Sequence, residues 1–502
     1  MSEVPEPNYL TTLPDLAASR LGGMVLEAND EFFGAKENLL EPAPPSFDPD
    51  RYTDRGKEMD GWETRRRRTP GHDWCVVRLG VPGIVRGVVV DTSFFRGNYP
   101  DRCSLEATAI AGSDDVHGAE WLELLPETAL EGDTRNVFEV GSPLRVTHLR
   151  FNIFPDGGVA RLRVHGEPLP DLRSLVDDGG RGDVAASLAG GNVLDASDRF
   201  FSSPHNLIAP GDPHGMHDGW ETRRRRGPGH DWVVIGLAAE TEVERIEVDT
   251  TNFKGNYPDT CSLDLRAARD TDADEAGWSE ASPPHKLGPH GRFVFPVEPP
   301  IPATQVRLNI HPDGGVARVR VHGRITDEGW RSFGVRWLNA LTASSFEDHV
   351  LACCASPAWA RGMERVRPFA DFESVLEASD AAWMKLSAEE RRPAFEAHPR
   401  IGDRGGSDWS RQEQGGTASA DDETMRELET GNRDYEARFG HVFLTNASGK
   451  TASGILEELR RRLANGPEAE LAEAAEQQRQ IARIRLEKLV RPPAAWGSIH
   501  AG

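Results

Sequence analysis

Cysteine is scarce in this chain of 502 residues, with five in all: Cys75, Cys103, Cys261, Cys353 and Cys354. The number is odd and no C-x-x-C spacing occurs, which argues against a disulfide scaffold and a structural zinc site. A reducing cytoplasm is the expected compartment. Long apolar runs are also missing, since none approaches the ~18 residues that a membrane span needs. The start, MSEVPEPNYL, lacks the basic and apolar regions of a secretion signal, and the end, SIHAG, carries no address. Basic charge is short as well. Lys and Arg number 58 against 81 Asp and Glu, a net charge of −23. An acidic chain is a poor ligand for phosphate backbones, so nucleic acid is excluded as a general partner. Small molecules remain, with neither nucleic acid nor membrane expected.

What is present is a soluble composition, 38% hydrophobic, with a mean hydropathy of −0.53. The length predicts about three domains at roughly 150 residues each. The charge is uneven: residues 334–502 carry −5 and residues 1–333 carry −18. Composition and pattern therefore change together near Gly334.

The main organisational feature is a long internal repeat. DGWETRRRRTPGHDW at 60–74 returns as DGWETRRRRGPGHDW at 218–232, an offset of 158 with one difference. VDTSFFRGNYPDRCSL at 90–105 returns as VDTTNFKGNYPDTCSL at 248–263. FNIFPDGGVARLRVHG at 151–166 returns as LNIHPDGGVARVRVHG at 308–323, now at an offset of 157. The repeat is the size of a whole domain, too long for a solenoid unit. Two copies of one domain are expected, at 20–167 and 190–325.

Leu162 and Val164 alternate with Arg161, Arg163 and His165, and Val319 and Val321 alternate with Arg318, Arg320 and His322. Period-two alternation suits half-buried antiparallel strands. Gly and Pro punctuation predicts short strands and frequent turns. Each copy is expected to be a β-sandwich of jelly-roll type, galactose-binding-like in fold. Trp62, Trp74, Trp220 and Trp232 are expected in the cores.

Folding alone would preserve apolar pattern rather than polar identity, yet the shared residues are polar. They include Asp60, Glu63, Arg65 to Arg68, His72, Asp73, Asp91, Asn98, Asn152, Asp156 and Arg161. Their partners include Glu221, Arg223, His230, Asp231, Asp249 and Asn256. Guanidinium forks bind carboxylates bidentately, so the arginine run suits a small anion, or else pairs with local acids along a solvated strand. His72–Asp73 and His230–Asp231 suit acid/base or metal-ligand chemistry, or else a hydrogen-bonded turn after Pro-Gly.

The segments GAKENLLEPAPP, DGWETRRRR.PGHDW, VDT..F.GNYPD and N..PDGGVAR.RV.G resemble allantoicase over about residues 20–325. The resemblance implies hydrolysis of allantoate to ureidoglycolate and urea by two jelly-roll repeats. Candidate site residues are Glu63, Arg65, His72, Asp73, Asp91 and Asn98, with Glu221, Arg223, His230, Asp231, Asp249 and Asn256. The hydrolysis needs an activated water and a protonated leaving group, from a divalent metal or a His/carboxylate pair. The residues leave that choice open.

Beyond Gly334 the periodicity is helical. Phe372, Val375, Leu376, Trp383 and Leu386 share one face, with Asp371 placed to cap it. Ile455, Leu459 and Leu463 are four apart. A last helix over about 469–490 puts Leu471, Ala475, Gln478, Ala482, Arg485 and Leu489 on one stripe. Arg485 there is either half of a structural ion pair or an anion-binding group.

ACCAS, RPFADFESVLEASDAAW, HPRIGD, WSRQEQGG, Y.ARFGHVFLTNASGK and RIRLEKL resemble 2-oxo-4-hydroxy-4-carboxy-5-ureidoimidazoline (OHCU) decarboxylase over about 334–490. The resemblance implies a cofactor-free helical domain yielding (S)-allantoin. It implies His398 as proton donor and Glu413 as its polar partner. It places Pro399, Ser410, Arg411, Gln412, Gln414, the Phe443, Leu444, Thr445, Asn446 and Ala447 stretch, and Arg485 around the substrate. Loss of CO2 leaves a carbanion that a conjugated carbonyl can absorb, so no prosthetic group is needed.

The expectation is a bifunctional enzyme of urate breakdown, and a homo-oligomer by family resemblance. The two steps are not consecutive, so a separate ring-opening hydrolase is expected between them. The alternative is a non-catalytic, ligand-binding or assembly pair of jelly rolls attached to an active helical decarboxylase.

Overall fold

The computed structural model describes residues 13–110, 112–267, 277–398, 422–446 and 450–491. The chain divides into two compact units, residues 1–329 and 330–502. The first is built of antiparallel strands and the second of helices. Among the described residues, no helix is long and apolar enough to cross a membrane.

The first copy holds β1 (Met24–Ala28), β2 (Tyr52–Thr53), β3 (Gly56–Lys57), β4 (Trp62–Glu63), β5 (Asp73–Asp91) and β6 (Arg102–Thr108). It continues with β7 (Leu122–Ala129), β8 (Arg135–Glu139), β9 (Arg145–Phe154), β10 (Gly158–Val159) and β11 (Arg161–Pro168). The sheet order is β1-β5-β9-β6-β7. The long β5 serves two layers. Its first part pairs with β1 and β9, and its last part with β8 and β11.

This departs from the short strands expected of the sequence. Gly80, Pro82 and Gly83 bend β5 instead of ending it, and the register against β9 slips between Arg78 and Gly83. Cys75, Val77, Leu105, Leu149 and Phe151 face Val88, Val90, Leu162 and Val164 across the core. Each fully buried aliphatic or aromatic side chain contributes roughly 1.5–3 kcal/mol.

The second copy repeats the design with β12 (Arg181–Asp183), β13 (Asn192–Ala196), β14 (Trp220–Glu221), β15 (Asp231–Asp249) and β16 (Thr260–Arg266). It ends with β17 (Trp278–Lys286), β18 (Arg292–His311), β19 (Gly315–Val316) and β20 (Arg318–Ile325). Its path is β12-β20-β15-β18-β16-β17, with β13 on β15.

Trp62 and Trp220 are core residues, each 0% exposed. Trp74 and Trp232 are not. Period two puts them on the outer face, between the inward-facing neighbours Asp73 and Cys75 or Asp231 and Val233, and both are half-buried. All five cysteines are free and buried.

His205 follows Ser203, whose hydroxyl accepts the His205 N–H, and both imidazole nitrogens are buried without a partner. Burial, helped by nearby Arg20 and Arg199, pushes the imidazole down to about 3. The ring is neutral in the fold, whereas in the unfolded chain it protonates below its ordinary 6.5. Stability is therefore unaffected above that pH and falls as the pH drops towards 3, by about 1.4 kcal/mol per pH unit. His205→Phe is expected to flatten the acid limb of chemical-denaturation midpoints between pH 6 and 4. A limb of unchanged slope would contradict the assignment.

The helical unit comprises α1 (Asp327–Asn339), α2 (Ala343–Leu351), α3 (Pro357–Glu364), α4 (Phe372–Met384) and α5 (Ala388–Glu396). It continues with α6 (Asp422–Phe439), α7 (Ala452–Leu463) and α8 (Pro467–Val490). Helix begins at Asp327, ahead of the change expected near Gly334. Asp327 and Glu328 suit a first turn, while Gly329 and Gly334 interrupt the pattern in sequence. Asp371 caps α4, and its side chain and that of Ser374 bond reciprocally to each other's backbone N–H.

The stripe on α8 faces the core. Ala475, Ala482 and Leu489 pack there, and Gln478 and Arg485 are buried among them. Arg485 lies near Cys354, whose thiol burial raises to about 11 while the guanidinium opposes the rise.

Arg462 and Glu470 are both 0% exposed. Arg462 donates to Glu470 Oε1 from Nε at 2.9 Å and from Nη2 at 2.6 Å, and to the Leu444 carbonyl at 2.5 Å. Tyr435 OH also donates to Glu470, and Asn465 donates to its other oxygen at 2.7 Å. Removing one partner strands a buried charge, at a cost of about 3–5 kcal/mol. Glu470→Ala is expected to lower the unfolding free energy of the helical unit by that amount in urea titrations. A loss below about 1 kcal/mol, the scale of an exposed ion pair, would contradict this.

Candidate active sites

The three near-identical segments of each repeat converge at one place. Glu63 on β4 pairs with Gly158 on β10, and the Gly158 N–H donates to the Asn98 carbonyl at 2.7 Å. The Thr64 N–H donates to the Gly157 carbonyl at 3.1 Å, and the Arg67 N–H to Asp156 Oδ2 at 2.8 Å. The second copy reproduces these as Gly315 to Asn256 at 2.7 Å, Thr222 to Gly314 at 3.1 Å and Arg225 to Asp313 at 2.8 Å. Glycine is required in the PDGG turn. Gly157 has φ +145°, and a Cβ on Gly158 would stand 1.9 Å from the Phe95 ring.

At the centre of each convergence, a carboxylate meets a carboxamide. Asn98 Nδ2 donates to Glu63 Oε1 at 2.7 Å, and Asn256 Nδ2 to Glu221 Oε1 at 2.6 Å. Burial pushes the Glu63 carboxyl above its ordinary range, and the Asn98 hydrogen bond offsets part of the rise.

The arginine run alternates. Arg65 pairs with Asp30 at 2.6 Å and Arg67 with Asp73. Arg223 pairs with Asp198 at 2.7 Å and Arg225 with Asp231. The intervening Arg66, Arg68, Arg224 and Arg226 are exposed, with no ion pair among the described residues. Two cations per repeat thus stand free beside the glutamate's loop.

The other candidates are held by other partners. Asp73 is 1% exposed and accepts from Arg67 and from Asn29 Nδ2 at 2.9 Å, so it anchors the arginine loop. Asp91 and Asp249 end their strands and accept the N–H groups of Ser93 at 2.8 Å and Thr251 at 2.6 Å. His72 packs on Phe154 with ring centroids 4.7 Å apart, and His230 packs on His311 at 4.5 Å. Asp60 and Arg161 form an ion pair at 2.8 Å with Arg161 buried, and Asp218–Arg318 repeats it.

Sequence reasoning missed Asp30 and Asp198 as arginine partners. It also missed an outer-face cluster, Ser104, Glu106 and Arg150, repeated as Ser262, Asp264 and Arg307. Arg150 Nε donates to Glu106 at 2.6 Å and Arg307 Nε to Asp264 at 3.0 Å. The signal was available, since these residues recur at the offsets of the flanking segments.

In the helical unit, His398 is half-buried just beyond α5. Pro399, Ser410, Arg411, Gln412, Glu413, Gln414 and Ala447 lie outside the described residues. Phe443, Leu444 and Thr445 are buried. Thr445 donates to Glu458 at 3.1 Å, and the Asn446 N–H donates to Gln477 at 2.8 Å, so this stretch is fixed from both sides. Among the described residues, no group of three or more His, Cys, Asp or Glu is placed to hold a metal ion.

Residues 14–169 and 182–326 match the family described as Allantoicase repeat. The chain belongs to the allantoicase family. Residues 339–487 match the OHCU decarboxylase family. The polypeptide therefore joins a pair of allantoicase repeats to an OHCU decarboxylase domain, families of hydrolases and carboxy-lyases respectively.

A probable allantoicase of Nocardia farcinica is 49% identical over 327 residues, 64% of this chain and 96% of that protein. A probable allantoicase of Pseudomonas fluorescens strain SBW25 is 44% identical over 319 residues, 62% of this chain and 96% of that protein. The crystal structure of Saccharomyces cerevisiae allantoicase aligns with a TM-score of 0.53 and 35% identity, covering 62% of this chain and 92% of the yeast chain.

Proposed function

We propose that this polypeptide catalyses two separate steps of urate breakdown. The repeats hydrolyse allantoate to (S)-ureidoglycolate and urea, and the helical domain decarboxylates OHCU to (S)-allantoin. The observation that supports the first reading best is the Glu–Asn pair. It is built in both copies from segments whose polar residues are nearly identical, although folding requires no such identity.

The allantoate carboxylate binds at Arg66 and Arg68, or at Arg224 and Arg226, whose guanidinium groups have no acid partner among the described residues. Glu63 and Glu221 move the proton. Burial raises the Glu63 carboxyl, which makes it a stronger base than a solvated one and lets it pass its proton to the departing nitrogen. Asn98 and Asn256 hold these carboxyls in place. Asp73 and Asp231 keep Arg67 and Arg225 oriented.

In the helical domain, His398 protonates the carbanion left by CO2, and Glu413 orients it. Pro399, Ser410 to Gln414, the Phe443 to Ala447 backbone and Arg485 hold the substrate. Neither reaction is assigned a cofactor. The test is urea release from allantoate by the full chain, with and without a chelator. Undiminished release under chelator is expected, loss only under chelator would assign a metal, and no release would favour a non-catalytic pair of sandwiches.

A further inference from the structure

The first repeat carries a cleft of about 630 Å³ on the outer face of its sheet, away from the Glu63–Asn98 pair's own hydrogen bonds. Arg67, His72, Trp74, Glu106, Arg150 and Asn152 line it. Two polar atoms of these side chains are buried and have no hydrogen-bond partner among the described residues: Asn152 Oδ1, an acceptor, and Arg67 Nε, a donor. Asn152 as a whole is 4% exposed. Leaving such groups unmatched costs roughly 1–3 kcal/mol each, a cost that an occupant of the cleft would offset.

Their identities are fixed by their neighbours. Asn152 Nδ2 donates to Ser104 Oγ at 3.1 Å and to Glu106 Oε2 at 3.2 Å, which leaves Oδ1 as the unmatched acceptor. Arg67 has its Nη1 on Asp73, and its Nε remains.

The second copy has the same residues in a different state. Asn309 Nδ2 donates to Ser262 at 3.2 Å and to Asp264 at 2.8 Å, as in the first copy. Its Oδ1, however, is met by His230 Nε2 at 3.2 Å. Because Asn309 Oδ1 can only accept, His230 Nε2 carries the proton. His311 stands where the first copy has Phe154 and packs on His230. Arg225 Nε, like Arg67 Nε, is buried without a partner among the described residues, so the copies differ at the asparagine: the second copy satisfies its own, and the first does not.

From this we infer that the outer-face cleft of the first repeat, and not that of the second, binds a planar carbamoyl group. A carbamoyl group offers an N–H donor for Asn152 Oδ1 and a carbonyl for Arg67 Nε, and its plane suits the aromatic walls of His72, Trp74 and Phe154. Glu123 at the rim has no ion pair among the described residues, and the lining cations Arg67 and Arg150 are already paired with Asp73 and Glu106, so a simple anion is disfavoured. That the occupant is a ureido arm of allantoate, or released urea, rests on the hydrolase reading. The carbamoyl chemistry does not.

The test is ligand-detected saturation-transfer NMR on the full chain with N-methylurea as probe. Transfer to the methyl protons is expected for the parent protein and for Asn309→Leu. It is expected to be lost in Asn152→Leu, which removes the acceptor. It is also expected to be lost in Glu123→Trp, an exposed rim position where a bulky side chain covers the cleft without touching buried hydrogen bonds. Transfer that persists in both first-repeat variants, or that disappears in Asn309→Leu, overturns the inference. Competition by N-carbamoylglycine at lower concentration than urea marks a ureido arm as occupant, and the reverse order marks urea. Probe binding without urea release from allantoate would sink the hydrolase reading alone, and urea release without probe binding would sink the carbamoyl site alone.

Discussion

His398→Ala is expected to lower OHCU decarboxylation by roughly 10²–10⁴-fold, the usual contribution of one placed general acid, while urea release from allantoate stays at the parental rate. The imidazole sits just past α5, whose start is fixed by the reciprocal Ser387–Glu390 cap and whose Phe395 packs in the helical core. On the proposed reading, removing the ring takes away the proton donor. The loss should fall on the protonation step, so stereochemistry is a second readout. Allantoin formed slowly by the variant is expected to be closer to racemic, because solvent can protonate either face. Parallel loss of both activities would mean that the domains do not work independently.

The second large effect concerns Glu63 and Glu221. The double variant Glu63→Gln, Glu221→Gln is expected to release urea roughly 10²–10⁴-fold more slowly than the parent. The two single variants apportion the activity between the repeats. Glutamine keeps an acceptor for Asn98, so the loop should hold its shape. The pH dependence follows from burial. Because the Glu63 carboxyl lies above its ordinary 4.5, the acid limb of urea release in the parent should lie above pH 4.5 as well.

The stability sign is opposite to that of a salt-bridged carboxylate. A raised folded pKa favours the fold below the unfolded pKa, and that advantage is lost as pH rises through the folded value. At neutral pH, Glu63→Gln should therefore leave the melting temperature unchanged or raised. A variant both inactive and less stable would point to a structural carboxylate instead.

Much of the architecture was legible because the chain carries its own comparison. Two copies of one domain sharing polar identities at Glu63, Asn98 and Asp156 marked a place that folding did not explain, and those segments meet in space. The helical unit was legible from the Asp371 cap and the α8 stripe. What could not be read were pairings set by the fold. Asp30 meets Arg65 from 35 positions away, and Asp218 meets Arg318 from 100 positions away. A run of four arginines looks uniform in sequence, whereas alternation along an extended segment commits the first and third to acids. Trp74 and Trp232 resembled core residues by type, but period two turns them outward. Gly80, Pro82 and Gly83 bend one strand through two layers, which a general rule of Gly and Pro punctuation does not foresee.

The most direct test of the account is to give the purified full chain its two substrates separately, measuring urea from allantoate and CO2 from OHCU. The account predicts both products, with urea release lost in the Glu63→Gln, Glu221→Gln variant and CO2 release unaffected by it. CO2 without urea from the parent chain would contradict the account and leave the paired sandwiches as a binding module.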